Sequence, residues 1–385
     1  MPVRVFDETE LELLRQVLDS GKLSGLSGGK FTGEFEAAFA EAVGSRYAVA
    51  MNSAMSVLHS AVMVAGAGAG DEVLCDPVCV FGAVATMYNN AIPVFVDVDP
   101  VTWNVRPELI EQHVTERTKA IIVTHVWGLP AEMDRIVEVA HKHGLPVIED
   151  CAHSLFATYK GKCTGTWGDI GSFSFQMSKQ LALGDGGMAV TDDEDLAKAL
   201  ALNAGAPTFH SVAHDLHWNY RMTEQTAAIG IVQLKRARGY VRELIEIGGL
   251  YDAAVADFPF VSLQRGPEEA VHTFHMWGAT FRGETVGLSP EDLKRALQEE
   301  DCRASVGYTN MPAYRHPVMA ERLGYGKGCP LDCPLYKGSA NRYPDGLCPQ
   351  AEYVVPRIVA AGTFGPRGSH ERNAERLRRA LERLG

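Results

Sequence analysis

Between about residues 45 and 200, short apolar runs alternate with longer stretches of helical period. YAVAMN, DEVLCDPV, IPVFVDVD, KAIIVTHV, LPVIEDCA, DIGSFSFQ and GGMAVTD are brief, mostly rich in Val, Ile or Phe, and end at turn residues, which predicts strands. Between several of them lie SAMSVLHSAVMVAGA, VFGAVATMYNNA and MDRIVEVAHKHG, where apolar residues recur at three- and four-residue steps, which predicts helices. Strand and helix in alternation predict an α/β fold, with a mostly parallel central sheet flanked by helices. Ligands of such sheets bind beyond the carboxyl ends of strands, so those loops are where chemistry is sought.

After residue 219 the pattern changes. The stretch from NYRMTEQ to DAAVADF reads as a long helix that bridges a large domain to a smaller one. Beyond it, FHMWGATF predicts a strand, SPEDLKRALQEE a helix opened by a Ser cap and an acidic first turn, and the chain closes on a charged helix. The expected division is a large domain over residues 1–245 and a smaller α+β domain over 246–385. The segment from about 306 to 350 is irregular and rich in Gly, Pro and Tyr; loops of that length are more often functional or partner-facing than idle.

Composition narrows the function classes. The 385 residues are 46% hydrophobic, enough for a large core and a second domain. A formal charge of −12 argues against nucleic acid or an anionic membrane as the main partner, since either is met by clustered Lys and Arg. No apolar run is long enough to span a bilayer and the start lacks an apolar signal core, which predicts a cytoplasmic protein. Eight cysteines scattered through a long chain fit reduced thiols. Cys329, Cys333 and Cys348 fall close together, yet His316 is the nearest fourth ligand and the Pro-rich spacing is not that of a zinc knuckle, so structural cysteines are expected.

Two residues carry the candidate chemistry. In VIEDCAHS an apolar strand ends in two acids and places Asp150 at its carboxyl end, where a buried carboxylate needs a cationic or hydrogen-bonding partner. The protonated ring nitrogen of pyridoxal phosphate would meet that need; an acid capping the next helix would look the same in isolation. Lys179 follows the next strand, in GSFSFQMSKQLALGDGG. A lone lysine is usually a surface residue, but one withdrawn from water has a depressed pKa and attacks aldehydes. Ser174 and Ser178 add hydroxyls suited to phosphate, and Asn52 and Ser53 cap a helix whose first N–H groups form an anion site. Phe81 stands on another strand-to-helix connection, where a ring either covers a cofactor or fills the core.

Taken in order, NSAMSVLH, GDEVLCDPVCVFGAVAT, IPVFVDVDP, TKAIIVTHVWGLPAEMD, LPVIEDCAHS, GDIGSFSFQMSKQL, GDGGMAVTDD and NYRMTEQTAAIGIVQL resemble the DegT/DnrJ/EryC1/StrS family of sugar and cyclitol aminotransferases along nearly the whole chain. The resemblance implies the fold type I architecture of pyridoxal phosphate enzymes and a homodimer with shared active sites. It makes Lys179 the Schiff-base lysine and Asp150 the partner of the ring nitrogen. His153 takes the position beside the phenolic oxygen, Phe81 the stacking aromatic, and Ser53, Ala54, Met55 and Ser174 the phosphate cup. Asn219 matches a residue that reaches the partner subunit's phosphate, and Gln176 joins the cofactor-contacting set. Gln176 in GSFSFQ, HPVMAERLGYGKGCPLDCPLYKG and GLCPQAE look like the branch that aminates cyclitol ketones or makes aminohydroxybenzoate. The implied partners are an amino donor, L-glutamine or L-glutamate, and a keto acceptor. The chain departs from the family in having Ser53-Ala54-Met55 for Ser-Gly-Thr and GDGG for GEGG. Two rival readings are a pyridoxal phosphate dehydratase or elimination enzyme, which needs no amino donor, and a non-catalytic regulatory member.

Overall fold

The computed structural model describes residues 4–25, 29–205 and 217–385. Helices α1 (Glu8–Ser20) and α2 (Lys30–Val43) lead into β1 (Tyr47–Met51), α3 (Ala54–Val64), β2 (Glu72–Cys75), α4 (Val80–Tyr88), β3 (Ile92–Phe95), a short α5 (Pro107–Ile110), β4 (Thr118–Thr124), α6 (Met133–Lys142) and β5 (Val147–Asp150). A small hairpin, β6 (Thr158–Tyr159) and β7 (Lys162–Cys163), precedes β8 (Ile170–Ser174), β9 (Gly187–Thr191) and α7 (Glu194–Ala204). The seven main strands lie in the order β1-β9-β8-β5-β4-β2-β3. All run parallel except β9, which is antiparallel to both β1 and β8. Every strand expected from the sequence is present.

The period of two shows in which core each side chain joins. Ile122 and Ile148 pack on one face with Val57, Leu58 and Ala83 of α3 and α4. Ile121, Val123 and Val147 pack on the other with Ile136 and Ala140 of α6. Toward β1 that second face is covered by α2, where Phe35 and Phe39 meet Phe173 and Phe175 edge-on or tilted at 5.0–5.4 Å between centroids. Full burial of each such side chain stabilises by roughly 1.5–3 kcal/mol.

Helix α8 (Glu224–Val255) starts at Thr223, whose hydroxyl accepts from Thr226 N; the preceding NYRM is extended and pairs with β1 through Met51 and Arg221. The helix begins against α1 and α2 and ends in a second core with Phe281, Leu297 and Leu377. That core lies between a four-stranded antiparallel sheet and helices α9 (Pro290–Glu299) and α12 (Arg367–Glu382). Its strands are β10 (Val261–Leu263), β12 (Met276–Phe281), β13 (Ala304–Val306) and β14 (Ile358–Gly362), while β11 (Ala270–Val271) pairs with β6. Ser289 and Asp292 close a capping box at α9. Gly278 is required where β12 crosses under Trp103 and Trp127, because a Cβ there would collide with both indoles.

The segment between β13 and α11 (Pro349–Val354), with the short α10 (Pro317–Ala320) inside it, is laid over the outer strands of the main sheet. Tyr336 donates to Glu72 Oε1 at 2.6 Å, Tyr343 to Pro93 O at 2.9 Å, and Ala313 N to Pro77 O at 2.7 Å. Tyr314, Leu331 and Cys348 are fully buried in the main core. Cys348 is thus a core residue, and among the described residues Cys329, Cys333 and Cys348 form no metal-ligating cluster. No helix among the described residues is long and apolar enough to cross a membrane.

Candidate active site

Register brings the carboxyl ends of three strands level: Thr124 of β4 pairs with Asp150 of β5, and Asp150 with Ser172 of β8. Beyond them lies a cavity of about 410 Å³. Ser53, Ala54, Met55, Phe81, Asp150, Ser174, Gln176 and Lys179 all line it, with Ala152, Ser178, Asp185 and Gly186. One space therefore gathers residues from the ends of four strands and the connections that follow them. His153 and Asn219 do not line it.

Asp150 is buried, and Oδ1 accepts the Ala152 N–H at 3.0 Å. Burial pushes its carboxyl pKa up, while the Ala152 N–H and the charge of Lys179 pull it down. Burial lowers the Lys179 amine from its ordinary range, against the opposite pull of Asp150 and Cys79. The two groups act on each other through space and form no ion pair across the cavity. A partly desolvated amine with a lowered pKa is the nucleophilic form.

The other wall is the start of α3. Ser53 is the N-cap, and its hydroxyl accepts from Ser56 N at 3.1 Å. The N–H groups of Ala54 and Met55 then remain without intrahelical partners, at the positive end of the helix. Gly187 of β9 lets the sheet approach this turn closely, since a Cβ there would lie 2.6 Å from Ala54 N. Ser56 does not supply a further hydroxyl to the cavity; its Oγ donates to Asn52 Oδ1 at 2.6 Å. Phe81, in the first turn of α4, is 42% exposed and faces the open space rather than the core. Gln176 is partly occupied within its own loop, where Oε1 accepts from both the backbone and hydroxyl of Ser178 at 2.7 Å.

His153 is buried behind Lys179, and its ring stacks on His275 with centroids 4.4 Å apart and planes 6° apart. Burial and the Lys179 charge hold the His153 imidazole well below its usual pKa, so the ring is neutral. His275 enters from the start of β12, a contact that FHMWGATF gives no sign of. Asn219 is exposed, and its carbonyl accepts from Asn52 Nδ2 at 3.3 Å. A larger groove of about 750 Å³ lies outside the Lys179 loop, lined by Phe6, Met177, Leu183 and Phe364. Among the described residues that line it Arg4 is the only ionisable one, so the smaller cavity is the chemical one.

The sequence matches the DegT/DnrJ/EryC1/StrS aminotransferase family over residues 5–337. The chain belongs to that family. It is 38% identical to the GDP-perosamine synthase of Caulobacter vibrioides over 339 residues, 85% of this chain and 89% of the relative. It is also 38% identical to a putative L-glutamine:3-amino-2,3-dideoxy-scyllo-inosose aminotransferase of Streptomyces kanamyceticus over 342 residues, 82% and 80% of the two chains. Among solved structures, 3-amino-5-hydroxybenzoic acid synthase superposes with a TM-score of 0.83 at 25% identity, covering 98% of this chain and 97% of that one. The protein is a pyridoxal phosphate-dependent aminotransferase of fold type I, from a family acting on sugars and cyclitols. The cavity suits that cofactor: unpaired helix N–H groups and serine hydroxyls at one end, a buried carboxylate and a partly desolvated amine at the other.

Proposed function

We propose that this aminotransferase moves an amino group from L-glutamine or L-glutamate to a keto-cyclitol or keto-sugar in secondary-metabolite, antibiotic or saccharide biosynthesis. The observation that carries the reading is the placing of Lys179 and Asp150 on one cavity with the α3 N-terminus. The name of the Streptomyces kanamyceticus relative supports glutamine as donor and a cyclitol as acceptor, and that of the Caulobacter vibrioides relative supports a sugar.

Bound pyridoxal phosphate supplies a carbonyl that links to amines and a ring that takes up an electron pair. Ala54 and Met55 N–H groups, with the Ser53 and Ser174 hydroxyls, hold the phosphate. Asp150 keeps a proton on the ring nitrogen, and Phe81 covers the ring face. Gln176 contacts the cofactor from the Lys179 loop, while His153 lies outside the cavity lining, stacked on His275. Lys179 would hold the cofactor through its carbonyl, and its free amine would take a proton at Nζ and return it to the neighbouring carbon. Burial of the amine favours the unprotonated form that this step requires.

The protein works as a cytoplasmic homodimer, with Asn219 reaching the partner's phosphate. Residues 1–245 form the cofactor-binding domain and 246–385 the smaller one, apart from the segment between β13 and α11, which packs into the main core. A spectrum tests the reading: with added pyridoxal phosphate a visible band should appear, and L-glutamine should replace it with the near-ultraviolet band of pyridoxamine phosphate. A band that ignores amino donors, with water lost from a keto-sugar, would favour dehydration instead.

A further inference from the structure

The backbone that carries Lys179 is held from outside by the first described residue of the chain. Arg4 Nη1 donates to Met177 O at 2.6 Å, and Nη2 to Lys179 O at 2.5 Å. Among the described residues no other hydrogen bond reaches either carbonyl. A guanidinium presents its donors in a rigid plane, so two bonds from one fork fix the spacing and twist of the two carbonyls together. The same group lies 5.8 Å from the centroid of Phe364, just after β14.

Arg4 is not on a loose tail. Val5 O accepts from Gln233 Nε2 at 2.9 Å, and Val5 N donates to Tyr240 Oη at 3.3 Å, both on α8. Two residues on, Asp7 caps α1 and pairs with Arg236 of the same helix at 2.7 Å. The fork thus reaches the loop from a base fixed on the longest helix of the protein.

The inside of the loop has its own bonds: Lys179 N to Gln176 O at 2.8 Å, Gln180 Nε2 to His153 O at 2.6 Å, and Leu183 N to Phe175 O at 2.8 Å. These secure the turn against the sheet but leave the Met177 and Lys179 carbonyls without a partner inside the loop. A lysine that must let go of one partner and then deliver a proton to a nearby atom needs its Cα to stay still while its side chain moves. Misplacement by about 1 Å can cost roughly a hundredfold in rate.

We propose that Arg4 is a positioning residue for Lys179: its fork pins the outer carbonyls of the loop, so that the amine keeps one path into the cavity through every turnover. The proposal rests on the reading of Lys179 as the lysine that holds the cofactor.

The test compares wild type, Arg4→Lys and Arg4→Ala by amide hydrogen exchange across residues 175–183, with and without pyridoxal phosphate, alongside steady-state kinetics. In Arg4→Ala the loop amides should exchange about tenfold faster, and kcat should fall about tenfold, as expected for the loss of hydrogen bonds to a charged group. KM for the donor should stay within about threefold, because uniform binding is untouched. Arg4→Lys should recover part of both effects, since an ammonium can reach one carbonyl but not span two. Unchanged loop exchange beside a normal visible band in wild type contradicts the proposal alone. Faster exchange spread over α1 and α8 reduces Arg4 to a general structural tie and also contradicts it. A wild-type protein with no lysine-linked band contradicts the reading of Lys179, and the proposal with it.

Discussion

Glu149 and Asp150 are neighbours at the end of β5, both buried, and the chain completes the surroundings of one while leaving the other open. Alternation along the strand turns them to opposite faces of the sheet. Glu149 Oε2 accepts from His125 Nε2 at 2.9 Å and from Gly165 N at 2.8 Å, and Oε1 accepts from Gly168 N at 2.7 Å. His125 Nδ1 in turn accepts from Ala131 N at 3.1 Å, which leaves its proton on Nε2. Cys151 sits with them, and the three side chains could outline a metal site by proximity alone. The Glu149 acceptors are taken by fixed donors, however, and burial pushes the Cys151 thiol up, away from the thiolate that metals bind. This side of the strand is a closed knot. On the other side Asp150 spends one oxygen on Ala152 N and faces the cavity with Lys179. A buried acid whose acceptors are all filled serves the fold, whereas one left facing a space with a displaced amine serves a ligand.

The sharpest way to break this contrast is at the open side. Lys179→Ala should lower turnover by about a thousandfold or more, since proton transfer alone contributes on the order of 10²–10⁴, and thermal melting should stay close to wild type. Asp150→Asn should still link the cofactor through Lys179 but lose roughly a hundredfold or more in kcat, because an amide cannot hold the ring proton. Wild-type turnover in either variant would move the chemistry elsewhere.

The closed side should fail differently. Glu149→Gln replaces an acceptor oxygen with a donor opposite fixed N–H groups, and leaving such a buried donor unsatisfied costs roughly 1–3 kcal/mol. Urea denaturation should show that loss, while the fraction that remains folded keeps near-normal kcat. A variant that unfolds normally but loses turnover would reverse the roles of the two acids.

The smallest effect concerns Glu36, a third secluded acid, on α2. Burial raises its pKa from 4.5 to about 7, with the charge of Glu224 adding to the rise and the Ala50 N–H opposing it. The folded state then holds a proton that the unfolded chain has released, so this contribution is complete below the unfolded pKa and is lost as pH rises toward 7. Glu36→Gln should be more stable than wild type at pH 8 by about 1–3 kcal/mol, with the difference fading below pH 4.5. An equal difference at both pH values would contradict the assignment.

Much of the frame was legible because parallel strands are short, apolar and bounded by turns, and the capping serine of α3 announces an anion site. That two acids end β5 could also be read, and alternation separates them. Which of the two is free could not, because Glu149 is completed by His125 and by the N–H groups of Gly165 and Gly168, none of them local. His275 and Arg4 were hidden for the same reason: each meets the Lys179 region only through folding, from just before β12 and from the residues that precede α1. The stretch from 306 to 350 read as loop because its order comes from distant contacts, such as that of Tyr336 with Glu72, rather than from any repeat of its own.

The most direct test of the account is to load the protein with pyridoxal phosphate, reduce it with borohydride and map the modified peptide by mass spectrometry. The account predicts a pyridoxyl group on Lys179, with the label lost when an amino donor is added before reduction. A label on another lysine, or none at all, would contradict it.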